Sequence, residues 1–226
     1  MQYVETTLRS NTYRAISTQY PPIDLFENLC TPEQYDQACK WEMLTNPRMR
    51  NTLIPHEDCV FGNGASYVMA PFFYKTPPAR FSTDLFGGYY ATKNEITAIF
   101  EKAYHLGNFI SATENEPFYE GLVLLILKNS INIKLHDLTK LSDKHPIYDK
   151  NSYHAAQKTA IELKEINSNG VLFNSVRKQG GHCLAIFKPK NVKIPIATKK
   201  IPVHFDGQKI DKFFDNEKWQ MIDSPI

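Results

Sequence analysis

Three residues far apart in the chain have the side-chain types to work on one substrate: Arg80 in PPARFS, Glu101 in GGYYATKNEITAIFE and Ser175 in NSVR. An arginine pairs bidentately with phosphate, and a carboxylate held in place stabilises a positively charged sugar centre. Tyr90, eleven positions before Glu101, and its neighbour Tyr89 supply rings able to stack on a heterocycle. These are the parts needed to cleave the glycosidic bond of a nucleotide. Each also has an ordinary use: Glu101 in a surface salt bridge, Tyr90 in a core, Ser175 and Arg177 in packing a loop. Arg177 stands two positions after Ser175, ahead of Gly180 and Gly181, where it either touches phosphate or braces the loop.

Other chemistries fit less well. Ser175 lacks the G-x-S-x-G context of a hydrolase elbow, and the glycine pair is too short for a phosphate-cradling P-loop. The seven histidines form neither HExxH nor a zinc-type Cys/His spacing, so no metal is expected. His182 and Cys183 are adjacent strand residues that point to opposite faces, which argues against a thiol nucleophile beside its base.

The elements that must position these residues belong to a chain of 226 residues, 42% apolar and 12% aromatic, long enough for one domain with a proper core. Twenty-six basic and 24 acidic residues leave a net charge of +2, without the broad basic footprint of a nucleic-acid binder. Lys188, Lys190, Lys193, Lys199 and Lys200 read as a solvated face. The cysteines have no CxxC spacing, the first residues have no signal-peptide core, and GLVLLIL is too short to span a bilayer. A soluble protein of a reducing cytosol is the expectation.

Along the chain, the first third reads as loop-rich, with one helix over Pro32 to Leu44 and an aperiodic segment from Thr45 to Tyr74. Tyr89 to Ala91 reads as a strand end. Thr92 to Glu95 has capping-box spacing that opens a helix carrying Glu101, with Gly107 placed to stop it. In that helix Ile96, Ile99, Phe100 and Ala103 face the core, while Thr97, Glu101 and His105 share the neighbouring stripe. GLVLLIL and INIKLHDL, on either side of Lys128-Asn129-Ser130, read as a strand pair, followed by a helix over Ser152 to Ile166. Strands at Val171 to Phe173 and Cys183 to Phe187 flank the Ser175 loop; Val203 to Phe205 with Asp206-Gly207 forms a last strand and turn. The fold class is mixed α/β of the α+β type, with a largely antiparallel sheet and flanking helices.

The ordered set YRAISTQYPPIDLFE (from Tyr13), LTNPR (from Leu44), FGNGASYVMAPF (from Phe61), ARFS, GGYYATKNEITAIFEKAYH and GVLFNSVRKQGGHCLAIFKP resembles the RES-domain family, named for an arginine, a glutamate and a serine. The similarity runs from about Tyr13 to Gly207. Most members are toxins of bacterial toxin-antitoxin pairs. The resemblance implies a fold like that of ADP-ribosyltransferase toxins and an activity that destroys NAD by splitting nicotinamide from ADP-ribose, with water or phosphate as acceptor. It places Arg14 and Arg80 as the two arginines, Tyr90 in preference to Tyr89 as the tyrosine, Glu101 as the glutamate and Ser175 as the serine. It departs from shorter members in having PPARFS for a GGRW-type motif, and in the 66 positions between its arginines, as if Thr45 to Tyr74 were the extension of a longer branch.

On this expectation Arg14 and Arg80 neutralise the pyrophosphate, Tyr90 packs on the nicotinamide or its ribose, and Ser175 positions the ribose or a phosphate. No cofactor is needed beyond NAD as substrate. The expected partner is a protein antitoxin, or an immunity protein if the chain is delivered into a target cell; membrane and nucleic acid are not expected partners, and a homo-oligomer is open. The rivals are an ADP-ribosyltransferase acting on a macromolecule and a non-catalytic binding module on the same fold. Ile99 and Phe100, just before Glu101, supply no second acidic residue of the kind such transferases use.

Overall fold

The computed structural model describes residues 3–18, 54–73, 78–113 and 121–223, with isolated positions between 30 and 41. Eight strands make up one sheet: β1 (Glu5–Ser17), β2 (Tyr89–Thr92), β3 (Val123–Asp137), β4 (Gly170–Asn174), β5 (His182–Ile186), β6 (Ile196–Phe205), β7 (Ile210–Asp215) and β8 (Lys218–Met221). Three helices of two turns or more accompany them among the described residues: α1 (Ser66–Phe73), α2 (Glu95–Ser111) and α3 (His154–Glu165). All strand pairings are antiparallel except β3 with β4, so the mixed α/β class with a largely antiparallel sheet is what the chain adopts.

The backbone of the fold is a long ribbon in which β1 and β3 pair from Glu5–His136 through Ser17–Leu124. A three-stranded unit, β2-β5-β4, bridges the ribbon and closes a ring. One seam is the antiparallel contact of Tyr13 with Thr92; the other is the parallel contact of His136 and Asp137 with Val171 and Leu172. Beyond the ring, β6, β7 and β8 extend the sheet from the first half of β3.

Alternation along β2 and β5 sends side chains to two cores. Tyr89, Ala91, Leu184 and Ile186 pack with Val68, Met69 and Phe72 of α1. Tyr90, Cys183 and Ala185 face the opposite way, toward Phe81, Ile147, Tyr148 and the Ala156, Ala160 and Leu163 stripe of α3. A third cluster holds Ile99, Phe100 and Ala103 of α2 against β1, β3, β6 and β7. Helix α2 is thereby fixed on the ribbon with one flank turned toward the end of β5.

Several sequence expectations change in physically instructive ways. GLVLLIL and INIKLHDL are one strand. Lys128 and Ser130 are exposed while Asn129 is 5% exposed and donates to the Lys193 carbonyl, so the polar triplet continues the alternation instead of breaking it. The helix carrying Glu101 starts where expected, but its cap is Asn94, whose side chain accepts from Thr97 N at 2.8 Å. Thr92 instead donates to the carbonyls of Asn94 and Tyr13. Gly107 does not stop the helix, which runs on to Ser111; its bare Cα faces β7, where a Cβ would lie 3.1 Å from Ile210 N. Among the described residues of the first third, β1 and α1 are regular despite the polar strand sequence and Pro71 inside α1. Val203 to Phe205 is not the last strand: β7 and β8 follow, joined at Asn216-Glu217, whose φ values of 51° and 63° form a tight turn without the glycine that signals one. The helix expected over Pro32 to Leu44 lies mostly outside the described residues, though Gln34, Gln37, Ala38 and Trp41 are helical.

Candidate functional site

Glu101 projects from the second turn of α2 toward the loop between β4 and β5 and the first residues of β5. Its Oε1 accepts a 2.5 Å hydrogen bond from Ser175 Oγ and a 3.5 Å contact from Cys183 Sγ. Ser175 is itself held by its own loop. Its Oγ accepts from the backbone N–H groups of Arg177 (3.1 Å) and Lys178 (2.9 Å), and its N–H donates to the Gly181 carbonyl. A hydroxyl has one proton and two lone pairs, so all three are in use and the proton is aimed at Glu101.

The glycine pair explains how this loop reaches the helix. Gly180 has φ +70°, the left-handed region that side chains disfavour. Gly181 lies so close to α2 that an added Cβ would be 2.6 Å from Thr97 Oγ1 and 3.0 Å from the Lys178 carbonyl. Thr97 is one turn before Glu101 and fully buried, so it cannot give way. Gly181→Ala is expected to push the loop off the helix and break the Ser175–Glu101 bond. If the expected NAD cleavage takes place at Glu101, its rate should fall by about tenfold or more, since misplacement near 1 Å is enough to do so; an unchanged rate would show that the close approach does not matter.

Arg80 lies 6% exposed beneath this corner. Its Nη1 donates to the Ile147 carbonyl at 2.6 Å and the Asp149 carbonyl at 2.9 Å, and the guanidinium stands 4.7 Å from the Tyr153 ring centre. Burial lowers its pKa most, with Tyr153 and Glu101 opposing and Arg177 adding to the lowering, which places Glu101 and Arg177 among its electrostatic neighbours. It remains a cation, as arginine does in proteins. Tyr90 supports the segment that holds Arg80: its hydroxyl accepts from Phe81 N at 2.8 Å and lies 3.3 Å from Ser82 Oγ. Burial pushes that phenol up to about 12, so it stays protonated.

Arg177, 9% exposed, stacks on Tyr104 with its guanidinium carbon 3.4 Å from the ring centre and donates to the Lys150 carbonyl. It braces the loop, and Lys178 lies 4.7 Å over Phe100 beside it. Arg14 joins from β1: it stands 4.8 Å over the Tyr89 ring and donates to the Tyr90 carbonyl at 3.1 Å, while its Nε is buried with no partner. Tyr89 is 1% exposed, lies under Arg14 and packs into the core beside α1. Lys102, next to Glu101, is lowered in pKa by burial and then by Arg14. The structure therefore brings Arg80, Tyr90, Glu101, Ser175 and Arg177 to one corner, with Arg14 reaching it through the backbone of Tyr90.

Two contributors had no motif to announce them. Cys183 lies in the core beneath Glu101, where burial first and the carboxylate second raise its pKa well above the usual thiol value. It is a protonated donor, not a thiolate nucleophile. Lys102 joins Arg80 and Arg177 as an electrostatic neighbour of His105, one turn after Glu101 on α2, and Arg80 is coupled to Glu101 itself. Three cations thus gather along the Glu101–His105 flank of α2, an arrangement suited to an anionic ligand. Among the described residues no group of three or more His, Cys, Asp or Glu is placed to hold a metal ion, and no helix is long and apolar enough to cross a membrane.

Comparison with known proteins gives three findings. The chain is 22% identical over 214 residues, 93% of its own length and 89% of the other's, to the uncharacterized protein y4oC of Sinorhizobium fredii. A superposition covering 87% of this chain and 85% of the other relates it to the M. tuberculosis MbcT-MbcA toxin-antitoxin complex at 11% identity and a TM-score of 0.45. The RES domain model matches residues 60–206, a span that contains Arg80, Tyr90, Glu101, Ser175, Arg177 and Cys183 and leaves Arg14 outside. The chain belongs to the RES domain family.

Proposed function

We propose that the protein cleaves the nicotinamide–ribose bond of NAD, passing ADP-ribose to water or to phosphate, and that a protein antitoxin or immunity protein restrains it. The observation that carries this reading is Glu101, a carboxylate fixed by Ser175 and Cys183 and set beside the cations Arg80 and Arg177. The cations suit the diphosphate. The carboxylate suits the positive ribose that forms as nicotinamide departs, because a charge already held in place stabilises a developing opposite charge without reorganisation. Nicotinamide leaves a cationic centre as a neutral molecule, so this scheme calls for no strong general acid and no metal. Tyr90, as the neighbour of both Arg80 and Arg14, lines the route between diphosphate and ribose.

Membership of the RES domain family supports the antitoxin half of the proposal. The test of the enzymatic half is direct. Purified protein freed of any partner and incubated with NAD should release nicotinamide, with ADP-ribose 1″-phosphate marking phosphate as acceptor and free ADP-ribose marking water. Label passed from NAD to protein or nucleic acid would instead make it a transferase, and no turnover at all would make it a binding module.

A further inference from the structure

Both protein donors to Glu101 among the described residues, Ser175 Oγ and Cys183 Sγ, reach the same oxygen, Oε1. They come from opposite ends of the β4–β5 hairpin connection, and each is held in place by its surroundings. Ser175 Oγ has both lone pairs taken by backbone N–H groups, and Cys183 is 4% exposed and packed among Phe173, Phe81 and Ala185. We infer that Ser175 and Cys183 are positioning residues that clamp Oε1 of Glu101 and leave Oε2 as the oxygen presented to the substrate. The inference rests on the NAD-cleaving reading for its substrate, but the clamp is a property of the protein itself.

The clamp assigns Ser175 a different task from holding ribose or phosphate. A serine that contacts the substrate needs a free proton or lone pair, and this one has neither. It also gives Cys183 a reason to be a cysteine: a thiol is a small hydrophobe that can sit in the Phe173 and Phe81 cluster while its S–H still points at the carboxylate. Its protonated state, enforced by burial and by Glu101 itself, keeps the donor in place. The charged groups beside the clamp are Arg80 from the segment before β2 and Arg177 from the β4–β5 loop. Both spend their N–H groups on backbone carbonyls, so carboxylate orientation falls to the two neutral donors.

Two measurements test this, one on turnover and one that needs none. In steady-state NAD cleavage, Ser175→Ala should lower kcat about tenfold and Cys183→Ala several-fold, both with KM within twofold of the parent, while Ser175→Thr and Cys183→Ser, which keep a donor, should recover most of the rate. A rise in KM with kcat unchanged for Ser175→Ala would overturn the clamp, because it would place the hydroxyl on the substrate. In thermal unfolding, the loss of melting temperature from Ser175→Ala or Cys183→Ala should shrink when Glu101→Ala is already present. Strict additivity would overturn the clamp even if NAD is cleaved, whereas coupling without any NAD turnover would leave the clamp standing and remove the proposed function.

Discussion

Glu101→Gln is expected to reduce the turnover of NAD by about 10²–10³-fold, some 3 kcal/mol of transition-state stabilisation, while leaving KM nearly unchanged. The amide keeps the size of the side chain and an oxygen able to accept from Ser175, so the loop and helix stay together. On the proposed mechanism, what it removes is the negative charge facing the ribose as nicotinamide leaves. Because that charge matters in the transition state and little in the bound substrate, the loss belongs in kcat. Glu101→Ala should be at least as slow. A rate within a few-fold of the parent for Glu101→Gln would take the carboxylate out of the mechanism.

Arg80→Met is expected to damage stability as well as activity. The side chain is buried, and its Nη1 alone satisfies two carbonyls, of Ile147 and Asp149. Methionine can fill much of the space but cannot donate, and stranding two acceptors in a buried site costs about 3 kcal/mol. For a domain of this size that amounts to a fall in Tm of roughly 10 °C. The cation beside Glu101 goes too, so NAD turnover measured well below the new Tm should still be depressed at least tenfold, by the weaker hold on the diphosphate. A variant that unfolds early but turns over normally when folded would make Arg80 a structural residue only. Arg80 is, on this view, both a strut of the 147–149 turn and a wall of the site.

The parts of the site that were legible in the sequence are those with local spacing. The strand-to-helix passage from Tyr89 to Glu101 could be read because two tyrosines, a polar capping run and a 3.6-residue apolar stripe lie within one short stretch. Even there the cap fell on Asn94, since Thr92 is still in the strand and spends its hydroxyl on the carbonyls of Asn94 and Tyr13. What could not be read is whatever depends on partners distant in sequence. Asn129 is inward because Thr12 stands opposite it in β1, and nothing within the Lys-Asn-Ser triplet says so. Cys183 reads as an ordinary core residue until α2 is laid across the end of β5. The glycine pair signalled a turn, but only the packing of Gly181 on Thr97 shows that the two glycines do different things.

The ring described by β1, β2, β5, β4 and β3 has a bearing on how the molecule is made. Its first strand begins at Glu5 and its last to be synthesised ends at Ile186, and its seams join Tyr13 to Thr92 and His136 to Val171. Closing contacts across such separations is slow compared with forming a helix or a hairpin, because the loop entropy has to be surrendered before the pairing repays it. Ser175 and Cys183 lie in the final segment to enter the ring. A nascent chain still on the ribosome with β5 in the exit tunnel therefore holds a complete helix bearing Glu101 and a complete Arg80 turn, yet has no clamp to orient the carboxylate. On the proposed function, competence arrives only when most of the polypeptide has emerged, which leaves an interval for the proposed restraining partner to bind.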